Sequence, residues 1–463
     1  MRRFMMLSVV LAAVASTPVY PQGPAPAQQV TPPEARYWMG ATTSGGMLAM
    51  TGMAQGGKPS MGDLLRMSTG GMPTEGRSVE LRLGTSLSPK GEPEAFHTMP
   101  PNAQVNRPIF LNTPQMTAGA TPESAGAYRQ PKGQISFYWG CGDKAGPGQP
   151  VVLTFDKLVR GDNDPELKAL EESVTSRGVR KPTAGSSKTY GDFPHGDPKN
   201  KNKGLSAGFQ SPSTIAGPHV VEGTYTPKLE FTLSQNFMDA VRYSSSSVQP
   251  SGSINVAWTA VSRATGYSLG VMVPEKAGDD SANFIMWSSA DRPATFIQME
   301  DLSPAEVKRL IGLKAVLPPE TTSCAVPAEV VKATKQGSML MFTAFGDEAT
   351  FIHPPRPQDP KVTWDQEWFA RVSYKAVRMD LITPQGVQDM AAAMSGGAGG
   401  AGSAPPANPA TQSDEEYCRK LEEERRGKPS PGGIIGGAGG RLGRMIGGRK
   451  KEEPPPDPRC VGK

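Results

Sequence analysis

Apolar residues recur at every second position through much of this chain, which is the period of a half-buried β-strand. Val79, Leu81 and Leu83 alternate with Glu80 and Arg82, and Ile135, Phe137 and Trp139 alternate with Ser136 and Tyr138. Val151, Leu153 and Phe155 follow the turn-forming run Gly146-Pro-Gly-Gln-Pro150. Further along, the same period returns at Leu229, Phe231 and Leu233, at Ile254, Val256 and Trp258, and at Tyr267, Leu269, Val271 and Val273. Ile285 and Trp287, then Thr295, Ile297 and Met299, the run 339–345, and finally Trp368, Ala370, Val372 and Tyr374 complete the set. One segment changes period. Ser303-Pro304-Ala305-Glu306 has the form of a capping box with proline at the first helical position, and Val307, Leu310 and Ile311 then share one helical face. A second short helix is expected over 327–334.

These elements predict a mainly β chain with two antiparallel β-sandwich-like domains, a short helical insertion in the second, and disordered termini. The N-terminal β domain spans 36–160, with ordered structure starting near Arg36. A polar stretch over 161–219, including Asp197-Pro-Lys-Asn-Lys-Asn-Lys-Gly204, is expected to be a linker or long surface loop, with one solvated helix over 164–174. The second β domain spans 220–385, with its helical insertion at 303–334. A low-complexity tail fills 386–463, carrying a charged helix over 413–426 and a glycine-rich tract over 432–448.

The corner between Trp258 and Tyr267 contains Val261-Ser-Arg-Ala264-Thr265-Gly266-Tyr267. It resembles the strand B to strand C corner of fibronectin type III domains, where a core Trp and a Tyr flank a turn of the form Val-x-x-Ala-Thr-x-Tyr. Leu302-Ser-Pro304 is similar to the Leu-x-Pro before strand F of that family. The likeness covers roughly 225–352. It departs from the pattern where Lys308 stands in place of the usual Tyr and a helical segment replaces the corner. The resemblance implies a fibronectin-like or immunoglobulin-like sandwich, and a fold of that kind does not specify an activity.

The N-terminus adds a destination. Arg2 and Arg3 precede an apolar run over 4–15 that ends in Ala13-Val14-Ala15, the three parts of a cleavable secretory signal. That run is much shorter than the roughly 20 residues needed to cross a bilayer as a helix. Cleavage is expected near Ser16, leaving a flexible leader over 16–35. Export to the periplasm or outside the cell follows. No later segment reads as a transmembrane helix.

Composition changes the picture only modestly. Glycine and proline number 53 and 46 in 463 residues, about 21% against a usual ~12%, so much of the chain is turn or linker. A net charge of +5 is small for this length and gives no case for nucleic acid. The 12 Lys and Arg against 9 Asp and Glu over 413–463 leave room for contact with an anionic envelope polymer.

Export makes the four cysteines, Cys141, Cys324, Cys418 and Cys460, disulfide candidates. Three pairings are open. The favoured one joins Cys141 to Cys324, one in each β domain, and Cys418 to Cys460 around the tail. The four histidines, His97, His195, His219 and His353, are far apart in sequence and read as surface or loop residues. Adjacent carboxylates at Asp279-Asp280, Glu171-Glu172 and Glu415-Glu416 read as solvated charge, because a catalytic pair must face across a cleft. Ser244 to Ser247 lacks the context of a nucleophile elbow and reads as a strand end or loop. Trp368 shares a face with Val372 and Tyr374 and is assigned to the core, four residues from Trp364. Seven methionines lie between Met39 and Met72, and Met47, Met50 and Met53 have a spacing that suits Cu(I).

No cofactor is expected. The function these observations favour is an exported, non-enzymatic protein with a binding or structural role, its partner an envelope polymer or protein. An exported hydrolase with a loop-assembled site is the alternative, and periplasmic Cu(I) binding is the third reading.

Overall fold

The computed structural model describes residues 28–49, 75–105, 107–113, 132–155, 157, 177–194, 201–202, 208–209, 213–275, 283–293, 301–335 and 337–388. Strands dominate. In the N-terminal part they are β1 (Val30–Thr31), β2 (Ala35–Gly46), β3 (Glu75–Thr85), β4 (Ala95–Thr98), β5 (Ile109–Leu111), β6 (Gln134–Trp139) and β7 (Val151–Thr154). β8 (Thr189–Phe193), β9 (Gly208–Phe209), β10 (Gly217–Gly223) and β11 (Thr226–Leu233) follow, then β12 (Tyr243–Val248), β13 (Ile254–Trp258), β14 (Gly266–Glu275) and β15 (Asn283–Ser288). Helix α1 (Pro304–Gly312), β16 (Ser323–Val326), helix α2 (Ala328–Ala333), β17 (Ser338–His353), β18 (Trp364–Asp365), β19 (Trp368–Thr383) and β20 (Gly386–Gln388) complete the described chain.

A large sheet of eleven strands runs in the order β7-β6-β15-β14-β17-β19-β2-β3-β8, with β20 added to β19 and β9 to β3. Its inward-facing positions follow the sequence alternation: Tyr37 and Met39 on β2, Leu81 and Leu83 on β3, Leu340 and Phe342 on β17, and Ala370 and Val372 on β19 are all at most 1% exposed. Two smaller sheets cover this face. The four-stranded sheet β11-β10-β4-β5 contributes Leu229, Val221 and Ile109, and the three-stranded sheet β12-β13-β16 contributes Ile254, Val256, Trp258 and Val326. One continuous apolar core results. Trp258 meets Phe342 edge-on at 4.9 Å between ring centres and Tyr267 at 5.5 Å, so the corner singled out in the sequence is a core aromatic cluster.

The expected separation into domains at 36–160 and 220–385 does not separate the sheets. β6 pairs with β15 in parallel, and β2 pairs with β19 in parallel over twelve residue pairs, Trp368↔Ala35 to Met379↔Gly46. Strands of the N-terminal part therefore flank β15-β14-β17-β19 on both sides. The sheet is mixed rather than antiparallel. Pairing of this kind joins residues hundreds of positions apart, and nothing in a local hydrophobic period reports it.

Three further expectations change. The polar stretch 161–219 contains β8, which docks on β3 with Leu81↔Phe193 and Thr85↔Thr189, so part of that stretch belongs to the large sheet. Its expected helix over 164–174 lies outside the described residues. The leader 16–35 includes β1, which pairs with β18 through Val30↔Trp364. The insertion 303–334 is not helical throughout, because β16 lies between α1 and α2 and pairs with β13. Ser323 to Val326 are short and carry a cysteine, too few residues for a visible period. The strand expected at Thr295, Ile297 and Met299, the N-terminal segment 1–15 and the tail beyond residue 388 lie outside the described residues.

Candidate functional site

Two features combine polar chemistry with a defined position in this framework: a buried chain of rings and an exposed sheet edge. The chain of rings lies between the large sheet and the four-stranded sheet. Tyr37, His97 and His219 are each at most 1% exposed. Their positions follow from strand parity. Val221 lies opposite His97 in the register of β10 with β4, and His219 is two residues before Val221, so both rings point to the same inner face.

Tyr37 Oη lies 2.6 Å from His97 Nδ1, His97 Nε2 lies 2.9 Å from His219 Nδ1, and His219 Nε2 lies 2.7 Å from the Ile215 carbonyl oxygen. The carbonyl can only accept, so His219 Nε2 carries the proton and its Nδ1 accepts from His97 Nε2–H. His97 Nδ1 then accepts from the Tyr37 hydroxyl. Every donor meets an acceptor, and the proton positions are assigned by this logic. Phe231 stacks on His219 with centres 5.1 Å apart, and Phe351 stacks on Phe231 at 5.0 Å.

Burial sets the protonation states. It holds His97 well below the ordinary imidazole range, with the neighbouring His219 acting the same way. Burial pulls His219 down to about 4, against a small opposing effect of its bond to Ile215. Burial likewise raises the Tyr37 phenol well above its ordinary value. Both rings are neutral at neutral pH. Adding a proton to either ring is opposed chiefly by the cost of burying its charge. The 2.9 Å separation of the two facing nitrogens is a hydrogen bond, whereas an ion bridging them requires roughly 2 Å to each nitrogen. Among the described residues no group of three or more His, Cys, Asp or Glu is arranged to hold a metal.

The assignment of these histidines to the surface is therefore a correction for His97 and His219. Parity was the available signal: His97 is two positions from Ala95, and His219 two from Val221, both apolar and buried. His353 is half-exposed at the end of β17, 3.6 Å from Glu367 and stacked on Trp368 at 5.5 Å. His195 lies outside the described residues.

Cys141 and Cys324 form a disulfide with Cα atoms 4.9 Å apart. It ties the chain just after β6 of the large sheet to β16 of the three-stranded sheet. Closing a separation of 183 residues removes about 5 kcal/mol of unfolded-state freedom in the chain-entropy account. Cys418 and Cys460 lie outside the described residues, as do Met50, Met53 and the three carboxylate pairs at 171–172, 279–280 and 415–416. Met47 is half-buried beyond β2, its N–H donating to the Met379 carbonyl at 2.8 Å.

The exposed edge is β12. It is the terminal strand of its sheet and pairs only with β13 among the described residues. Ser244, Ser245, Ser246, Ser247 and Val248 are all exposed. Native edges are commonly blunted by lysine, proline, inward charge or a bulge; this strand contains no lysine, proline or charge, and its register with β13 shifts once, between Tyr243 and Ser245. The serine run is thus a paired strand rather than a loop. Trp364, four residues before Trp368, is half-buried on β18, donates its indole N–H to the Pro354 carbonyl at 2.9 Å and lies beneath the Arg356 guanidinium at 5.6 Å. Trp368 is 6% exposed and packs in the core.

No protein family, curated protein or solved structure matches this chain.

Proposed function

We propose that this protein is an exported, non-enzymatic β scaffold with a binding role, and that β12 is the edge it offers to its partner. The bare edge carries the proposal. A terminal strand with five consecutive exposed residues presents backbone N–H and C=O groups to an added strand, and small serine side chains leave room for a second chain to approach. The Cys141–Cys324 disulfide supports export, since such bonds persist in oxidising compartments. The strand order supports the fibronectin-like reading: β12-β13-β16 faces β15-β14-β17-β19 around Trp258, as the two sheets of such a domain would.

On the enzymatic side, the two buried histidines spend both ring nitrogens on structural partners, and His353 with Glu367 forms a solvent-exposed pair at a strand end. A photo-crosslinking residue at Ser246 tests the proposal in the native cell envelope. A discrete crosslinked product is expected at Ser246 and not at Lys228, an exposed control on β11. Equal labelling at both positions, or turnover on an ester or glycan panel with no crosslink at Ser246, overturns it.

A further inference from the structure

On three adjacent strands of the large sheet, methionine is confined to one face. Burial fixes the inward positions: Val271 and Val273 on β14, Leu340 and Phe342 on β17, and Ala376 and Ile382 on β19 are each at most 4% exposed. Side chains alternate along a strand, so Met272, Met339, Met341 and Met379 all project from the other face. These are all the methionines of the three strands, and none lies inward. Met272 is directly opposite Met339, and Met341 directly opposite Met379, which spreads the four sulfurs in a row across the sheet.

A solvated sheet face ordinarily carries polar side chains, as the outward positions Arg371, Ser373 and Lys375 do further back on β19. Methionine's usual place is a core gap, where its flexible thioether fits irregular packing. Met39 and Met238 hold such places, at 0% and 1% exposure. Core packing does not account for Met272, which is 44% exposed, or for the partly exposed Met339, Met341 and Met379. Hydrocarbon and aromatic side chains fill the inward positions beneath them, so oxidant meets sulfur on the outside of these strands and none within.

We propose that Met272, Met339, Met341 and Met379 form a reversible oxidation site that consumes peroxide outside the core. Each sulfur acts alone. Its lone pair attacks one oxygen of the peroxide, the O–O bond breaks as the S–O bond forms, and water leaves, so the thioether is oxidised by two electrons to a sulfoxide. A thiol-dependent sulfoxide reductase reverses the step: two thiols become a disulfide, the sulfoxide oxygen leaves as water, and the thioether returns. A sulfoxide is polar, and an outward position lets its oxygen reach solvent, whereas the same change at Met39 or Met238 would bury it.

The test is a time course of the full mature chain in hydrogen peroxide, read peptide by peptide by mass spectrometry. Met272 is expected to oxidise at least about tenfold faster than Met39 and Met238, with Met339, Met341 and Met379 between. Protein oxidised at the row alone should still unfold cooperatively in urea. Sulfoxide reductases of both epimer specificities, supplied with a thiol, should then return the four residues to methionine. The M272L/M339L/M341L/M379L variant, which keeps side-chain volume, should consume about four fewer equivalents of peroxide, one for each sulfur removed. The rate order in the unaltered protein keeps the proposal testable if that variant misfolds. Oxidation of Met272 no faster than that of Met39 and Met238, loss of cooperative unfolding with oxidation confined to the row, sulfoxides the reductases leave in place, or equal consumption by a folded four-leucine variant overturns it.

Discussion

Buried ionisable side chains set the behaviour of this protein with pH. The unfolded chain binds protons at histidine below about pH 6.5, whereas His219 in the fold resists protonation until about 4. Stability is therefore complete above about pH 6.5 and falls as the pH drops towards 4, by roughly 3 kcal/mol for His219. His97, shifted in the same direction, adds to the loss. Asp301 contributes a further loss at lower pH. Burial alone would raise its carboxyl, but Lys375 and Lys181 hold it below the ordinary range, so protonation forfeits their attraction. Urea unfolding at pH 7.5 and pH 5 should show this decline, and an unchanged midpoint would contradict the neutral ring chain. Replacing Tyr37 by Phe leaves His97 Nδ1 without its donor and should cost about 1–3 kcal/mol in the same assay at pH 7.5. The sequence made Trp258, Tyr267 and Trp368 legible as core residues through their period. It concealed the histidines, because a polar ring at an inward position is recognisable only once its partner on another strand is known.

Local signals define some elements well and miss others. The Ser303 hydroxyl accepts from the Glu306 N–H at 3.2 Å, as the capping motif predicts. Glu306 does not complete the box: its carboxylate pairs with Arg309 and accepts from the Arg177 N–H at 2.8 Å, which ties a segment from the polar stretch to α1. Ser303→Ala should lower stability by about 1 kcal/mol, measured by chemical unfolding. β8 and β16 escaped because each is at most five residues, too short to display a period; they are strands through the neighbours they pair with. At the β17–β19 irregularity the reverse holds. The register shifts between Phe345 and Glu348, and a Cβ at Gly346 would collide with Met238 Sδ and the Tyr374 carbonyl. A close approach there requires glycine.

At the scale of the molecule, the large sheet makes the two halves of the described chain interdependent. β15-β14-β17-β19 has the N-terminal strands β6 and β2 as its immediate neighbours. A fragment of residues 220–385 alone would expose two sheet edges and lose the Cys141 partner of Cys324. It should aggregate or unfold without cooperativity, whereas residues 28–388 should unfold cooperatively; circular dichroism on heating distinguishes them. The β character and the strand-rich second half were legible because period 2 is local. The shared sheet was not, because parallel joins between distant strands leave no mark in either strand's own sequence. The central claim, that β12 is the binding edge, is tested most directly by amide hydrogen exchange across Ser244 to Val248, with and without a solubilised fraction of the native envelope that the mature chain binds. Slowing of these amides by at least about tenfold on binding is predicted. Unchanged exchange at β12 with protection elsewhere would contradict it.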